Sequence, residues 1–180
     1  MDPRLTIVSG ALAAVMVAAG GCAPVRVSTF VERGIDFQAY RTYAWAPKAQ
    51  LAVGDPRLDN NEMFQRTIQA AVAKELSARG FERLESGHAD LVLHYHASVT
   101  QRVDANGADE RYGYCDDCRP SVFEAGTLTL DFVDARTNRL VWRGWAESTL
   151  DGLIESQAWL DRRVGESVAR IIQKLPAGSL

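Results

Sequence analysis

Three stretches in the second half of the chain alternate apolar and polar side chains, the period-two pattern of a strand with one buried face. Aromatic and β-branched residues mark two earlier strands, the first of which could equally be an extended tether. The predicted strands are 25–31, 40–45, 91–99, 122–134 and 140–147. Turn-forming residues lie between the last two strands, so these two are expected to form an antiparallel hairpin.

Two other stretches repeat apolar residues every three or four positions, which predicts helices with one buried face. The first helix is predicted over residues 60–79, with Asp59 or Asn60 as its N-cap and Gly80 at its C-cap. Its apolar face consists of Phe64, Ile68, Val72 and Leu76. The second helix ends before Pro176, and its apolar stripe consists of Leu160, Val164, Val168, Ile171, Ile172 and Leu175.

These elements predict one fold class. Each helix must bury one stripe, and the alternating strands offer one apolar sheet face to receive it. The expected fold is therefore an α+β two-layer sandwich, with two helices packed on one face of a mixed or antiparallel sheet. If the strands on either side of the first helix are parallel, the connection between them should be right-handed. Polar residues 100–120 are predicted to form a long loop.

The N-terminus carries a separate signal. An apolar run over residues 5–19 is shorter than the about 20 residues of a membrane-spanning helix, and it follows Arg4. Small residues then lead directly to Cys22, which predicts an export signal over residues 1–21. The junction resembles the lipobox of bacterial lipoproteins, in which lipid is attached to the cysteine. Secretion without lipid and a retained N-terminal helix are the alternatives.

These features predict a division into the signal peptide 1–21, a lipidated Cys22 with a tether or first strand over 22–35, and a single α+β domain over 36–176. By resemblance to Gram-negative lipoproteins, Ala23 after the cysteine favours the periplasmic face of the outer membrane. The membrane is then a partner through the lipid on Cys22. The net charge of −3 and the lack of a basic run argue against nucleic acid as a partner.

An ordered series of short motifs runs through the predicted domain. They are Asp36-Phe37, Tyr40-Arg41-Thr42-Tyr43-Ala44-Trp45, Leu76-Ser77-Ala78-Arg79-Gly80-Phe81, Ala89-Asp90-Leu91, Gly126-Thr127-Leu128, Asp131 and Trp142-Arg143-Gly144. Together they resemble the domain-of-unknown-function 4136 family of bacterial envelope lipoproteins, over roughly residues 25–175. The resemblance implies a fold and an envelope location, but no activity or ligand. The chain departs from the family in residues 100–120.

That loop holds Cys115 and Cys118, which are separated by two residues in a C-x-x-C spacing. In an oxidising periplasm the expected outcome is a disulfide between them. A thioredoxin-like redox pair would need the first cysteine at a helix N-terminus. A metal site is the other alternative, because His94 and His96 point to the same polar strand face and could complete a tetrahedral zinc shell.

No nucleophile elbow, zinc-protease helix, phosphate loop or dinucleotide motif occurs in the chain. We therefore expect a non-catalytic interaction or structural domain without a cofactor, whose partner is an envelope protein, peptidoglycan or lipid. A periplasmic metal-binding module built on His94, His96, Cys115 and Cys118 is the first alternative, and an unrecognised envelope enzyme is the second. Trp142, Trp145 and Trp159 could line a groove, although packing in the core or on a sheet face is expected.

Overall fold

The computed structural model describes residues 25–47, 55, 58, 61–85, 88–104, 121–150 and 157–176 of the chain. Its elements in chain order are β1 (Arg26–Val31), a 3₁₀ helix (Phe37–Ala39), β2 (Thr42–Trp45), α1 (Glu62–Ser77), β3 (Glu82–Arg83), β4 (Leu91–Asp104), β5 (Ser121–Asp134), β6 (Arg139–Thr149) and α2 (Gln157–Ile172). The described strands form one sheet in the order β1-β6-β5-β4-β2-β3.

The sheet is mixed, as predicted. β2 runs parallel to its neighbours β3 and β4, whereas the β4–β5, β5–β6 and β6–β1 pairs are antiparallel. The buried residues of α1 and α2 join those of the strands in one core cluster. The predicted α+β sandwich with two helices on one face of the sheet is therefore confirmed. We call the helix-covered side the inner face and the opposite side the outer face.

Helix α1 follows its predicted apolar face, and Phe64, Ile68, Val72 and Leu76 are its buried residues. Its N-cap was predicted one or two residues too early, because the side chain of Asn61 accepts the hydrogen bond from the Phe64 amide. The C-terminal prediction is confirmed. Gly80 has φ +80°, and the amide of the buried Phe81 donates to the Leu76 carbonyl at 3.0 Å.

Strand β4 is longer than the sequence predicts. Residues 100–104 were expected in the polar loop, but they continue β4 and pair with 121–125 of β5. β6 pairs with β5 only as far as Ala125 opposite Thr149. Beyond that point no described strand borders β5 on the β6 side, and Val103 and Val122 are exposed there. A ribbon that covers no core needs no apolar alternation, so the period-two pattern stops before the strand does.

Close packing on the inner face of β6 depends on Gly144. A Cβ at this glycine would collide with the indole of Trp142 and would lie 2.6 Å from Ile171 of α2. Trp142 is fully buried and meets Phe132 edge to face, with ring centroids 4.9 Å apart. The missing side chain thus allows a large indole and a helix to occupy neighbouring positions on the same strand.

Candidate functional site

The outer face is the side of the sheet that neither described helix covers. Two rows of cross-strand partners run over its middle. The first row is His94, Asp131, Arg143 and Phe30, on β4, β5, β6 and β1. The second row is His96, Thr129, Trp145 and Ser28 on the same four strands. Charged, hydroxyl, imidazole and aromatic groups therefore lie side by side on a sheet surface.

Asp131 is the centre of the first row. Arg143 donates two hydrogen bonds to it, from Nε to Oδ1 and from Nη2 to Oδ2, each at 2.6 Å. His96 Nε2 lies 3.3 Å from Oδ2. We call Asp131, Arg143 and His96 the Asp131 cluster. Fork-to-fork pairing of this kind fixes both side chains in one geometry.

The cluster holds a buried charge on an otherwise open face. The Asp131 side chain is only 8% exposed, compared with 24% for His96 and 44% for Arg143. Burial acts to raise the pKa of Asp131, but the hydrogen bonds from Arg143 and His96 outweigh it and hold this pKa below its usual value. The hydrogen bond with Asp131 raises the pKa of Arg143. Asp131 thus remains ionised and positions the other two groups.

A hollow with a volume of about 350 Å³ lies over the cluster. Its walls add His94, Asn138, Val133 and Leu140 to the three cluster residues. The hollow is open, and its lining combines polar side chains with the aliphatic Val133 and Leu140. Because both carboxylate oxygens of Asp131 are engaged by Arg143, the arrangement is suited to polar recognition rather than to proton abstraction.

The predicted histidine pair is placed as expected, with His94 and His96 on the outer face and the buried Leu91, Leu93 and Tyr95 on the inner face. The other predicted site residues, Cys22, Cys115 and Cys118, lie outside the described residues. Within the part of the chain that the structure describes, no group of three or more His, Cys, Asp or Glu side chains is arranged to hold a metal ion. The described helices also include none with the length and apolar character needed to cross a bilayer.

A second concavity lies on the inner side, between the sheet and the helices. It is a cavity of about 100 Å³ at the end of the sandwich where β6 finishes. Its apolar lining includes Leu58, Phe64, Val99, Leu128, Ala146, Leu150, Leu160 and Val164. The polar part of the lining consists of Arg163, Ser98, Thr127, Ser148 and Ser167. We call it the apolar cavity.

Arg163 is the charged residue of the apolar cavity. Its side chain is 10% exposed, its Nη1 donates to Glu166 at 3.3 Å, and its guanidinium lies 5.8 Å from the centre of the Trp159 ring. Glu166 also pairs with Arg170 at 2.9 Å. Trp159 therefore packs beside a helical ion-pair network, while Trp142 is in the core and Trp145 lies on the outer face.

Two further carboxylates, Asp90 and Asp134, act inside the fold rather than at a surface site. Asp134 accepts hydrogen bonds from the Thr137 amide at 2.7 Å and from the Tyr40 hydroxyl at 2.9 Å, which ties the β5–β6 turn to the start of β2. Burial, with this hydrogen bond, raises the pKa of Tyr40 to about 12. Asp90 accepts from the amides of Arg41 and Thr42 at 2.9 and 2.8 Å. Both carboxylates hold the ends of neighbouring strands together.

The profile of a protein family described as Domain of unknown function (DUF4136) matches residues 27–177. This match confirms the family resemblance expected from the sequence. No curated protein matches the chain.

Among solved structures, the chain is similar to a PDZ domain protein from Parabacteroides distasonis, with 17% identity and a TM-score of 0.55 over 88% of this chain. The chain spans only 38% of the length of that protein. It is also similar to a PelC dodecamer from Paraburkholderia phytofirmans, with 17% identity and a TM-score of 0.48, covering 87% of this chain and all (100%) of the other. At these identities the first likeness shows the fold alone.

Proposed function

Because this chain belongs to the DUF4136 family, whose domain has no assigned function, we propose that it is a lipid-anchored binding protein of the bacterial envelope. In this proposal the leader is removed before Cys22, the cysteine is lipidated, and the domain stands at the periplasmic face of the outer membrane. The domain binds another envelope component and catalyses no reaction. Its outer face is the binding surface.

The observation that carries the binding surface is the buried Asp131 cluster on a sheet face that neither described helix covers. Burying a carboxylate is unfavourable unless it is paired, and such a pair adds little net stability compared with apolar residues. A preorganised ion pair at this position is therefore better explained by recognition than by folding. Trp145 and Arg143 beside it are of the residue types that dominate binding energy at protein interfaces.

The chemistry of the outer face favours a partner that is rich in polar groups. Its two central rows contain two imidazoles, an ion pair and the hydroxyls of Ser28 and Thr129, with Trp145 and Phe30 as the aromatic groups. Such a surface suits a partner rich in polar groups. Peptidoglycan and the polar surface of an envelope protein both meet this requirement.

The position of the first strand supports anchoring close to the membrane. Only Ala23 and Pro24 separate Cys22 from Val25, which is buried in the core at 6% exposure. Three residues span at most about 11 Å. A lipid on Cys22 would therefore hold the domain directly against the bilayer surface rather than on a long tether.

The anchor is tested by the intact mass of the protein recovered from the cell envelope. We expect a chain that begins at Cys22 with three acyl groups attached. The Cys22→Ser variant should accumulate without lipid, whereas Cys115→Ser should be lipidated normally and so serves as the matched control. Recovery of the full chain from residue 1, without acyl groups, would refute the anchor.

The binding surface is tested by sedimentation with isolated peptidoglycan sacculi and, in cells, by a photoreactive amino acid placed at Ser28. Trp145→Ala should abolish whichever interaction is found, while Met63→Ala on exposed α1 is the control. Sedimentation with sacculi identifies peptidoglycan, and a Trp145-dependent cross-link to one protein identifies a protein partner. A Trp145→Ala protein that binds as well as the wild type would refute the outer face as the surface.

A further inference from the structure

The apolar cavity lies at the same end of the molecule as the start of β1. Arg26 pairs with Glu147 of β6 in the antiparallel register. Continued by one residue, this register would bring Val25 opposite Ser148, which lines the cavity. Val25 is buried in the core cluster, and its carbonyl accepts a hydrogen bond from Arg170 of α2 at 3.4 Å. The chain therefore enters the domain beside the apolar cavity.

We propose that the apolar cavity takes the methyl end of one fatty acyl chain of the lipid on Cys22, an inference that rests on the lipid anchor proposed above. Cys22 lies within about 11 Å of Val25 along the chain. A fatty acyl chain attached to Cys22 is longer than this separation between Cys22 and Val25, so its methyl end can extend past Val25. The apolar cavity, beside the point where the chain enters the domain, is therefore within reach of such an acyl chain.

The lining fits a hydrocarbon chain. Phe64, Leu128, Leu160 and Val164 present aliphatic and aromatic carbon. The polar residues Arg163, Ser98, Thr127, Ser148 and Ser167 complete the wall. An apolar cavity of about 150 Å³ stays dry and binds benzene. A cavity of about 100 Å³ is of the same order, so it accepts the last few carbons of a chain and not its whole length.

The hydrophobic effect decides when the cavity is occupied. Each methylene group removed from water raises the equilibrium constant for burial by about fourfold, both in the cavity and in a bilayer. Because the bilayer offers the same gain to every methylene, the cavity cannot withdraw a chain that is fully inserted. The cavity binds the methyl end of an acyl chain when the lipid anchor is partly exposed to water.

The test follows the acyl chain directly in the full lipoprotein. Cells that produce it are fed palmitic acid with a diazirine near the methyl end, the purified protein is illuminated in dilute detergent, and cross-linked peptides are identified by mass. We expect adducts that join the Cys22 lipopeptide to β6 or to the first turns of α2. Ala146→Leu fills part of the cavity and should lower the yield of these adducts by about fourfold or more. This factor corresponds to at least one methylene of the acyl chain that can no longer enter the cavity.

Two further variants keep the result interpretable. Ser148→Leu narrows the cavity at a half-buried position and should act like Ala146→Leu even if the latter folds poorly. Ala70→Leu makes the same substitution at an exposed position of α1 that does not line the cavity, and it should leave the yield unchanged. Adducts that carry a phospholipid mass would assign the cavity to a membrane lipid and overturn the proposal. An acylated Cys22 without cavity adducts would overturn it while leaving the anchor intact, whereas an unacylated Cys22 would refute both.

Discussion

The two faces of the sheet are built from the same strands but differ in how their side chains are packed and exposed. On the inner face of β6, Trp142 is fully buried and the glycine at 144 leaves no room for a single added carbon. On the outer face of the same strand, Arg143 is 44% exposed and Trp145 is half-buried, beside an open hollow. The inner face is therefore specified by packing, and the outer face by polar geometry.

This difference teaches where stability and binding can be separated. A residue packed in the core, such as Trp142, contacts only other parts of the domain, so its substitution should change folding first. The outer-face row of His94, Asp131 and Arg143 contributes charge and hydrogen bonds that a partner can meet. Substitutions there should change folding less and binding more.

The largest effect is expected from the two tryptophans of β6, which lie on opposite faces. Trp142→Ala should lower the free energy of unfolding by about 3–5 kcal/mol, because it leaves a large cavity in the core. Trp145→Ala should lower it by about 1 kcal/mol, since much of that indole already meets solvent. Denaturant unfolding of both variants measures the difference. Equal losses for the two would mean that the faces are not distinguished in this way.

The next effect is expected at the close approach on the inner face. Gly144→Ala should lower the free energy of unfolding by about 1–3 kcal/mol, because the added methyl group would overlap Trp142 and Ile171. Gly165→Ala is the matched control, since nothing lies within 4 Å of a Cβ added there. The control should be neutral or slightly stabilising within a helix. A Gly144→Ala protein as stable as the wild type would contradict the tight packing of α2 on β6.

A smaller effect is expected from removing one partner of the outer-face ion pair. Arg143→Met should lower the free energy of unfolding by about 1–2 kcal/mol, because it leaves the buried Asp131 without its main partner. The expected loss is this small because solvent reaches the half-exposed guanidinium of Arg143 and screens the ion pair. The double variant Asp131→Leu with Arg143→Met should regain most of the loss, since apolar replacement of a pair is often neutral. Chemical unfolding measures the stability of the single and double variants. If the double variant were the least stable, the ion pair would serve mainly to stabilise the fold.

The smallest effect is expected in acid. The pKa of Asp131 is lowered in the folded protein, so its ionised form stabilises the fold above the unfolded pKa of about 3.9. This contribution is lost as the pH falls through the lowered value. Asp131→Asn should therefore be less stable at neutral pH and should lose less stability between neutral and strongly acid pH. Asp161→Asn on the helix surface is the control, and identical acid profiles for wild type and Asp131→Asn would contradict the shift.

The inner face could be predicted from the sequence because packing imposes a period. The buried faces of α1 and α2 and the alternating parts of β4, β5 and β6 follow from apolar residues that repeat every two or every three to four positions. The sequence leaves open whether β2 and β4 are parallel, and it does not predict the two-residue β3. Packing and strand geometry also explain two of the motif residues, since Asp90 holds strand ends together and Gly144 leaves room for Trp142. These residues are required by the geometry of the fold.

The Asp131 cluster could not be predicted in the same way. Counting back from the turn, with Asp134 opposite Arg139, a regular hairpin would place Asp131 across from Trp142. A bulge between Phe132 and Val133 inserts one residue, so Arg143 becomes the partner instead. Three consecutive apolar residues, Leu140 to Trp142, interrupt the alternation here, but they do not reveal which residue of β5 each one faces. The candidate site therefore depends on a local irregularity that only the structure provides.

The central claim is that the outer face is covered by a partner in the cell envelope. The chain has three histidines. His94 and His96 lie on the outer face, whereas the exposed His88 precedes β4 and belongs to neither of the two outer-face rows. Labelling with an imidazole-acylating reagent, followed by peptide mass analysis, compares the three in intact envelopes and in purified protein. We predict that His94 and His96 react more slowly in the envelope, whereas His88 reacts equally in both. Equal reactivity of all three histidines in the two preparations would contradict the claim.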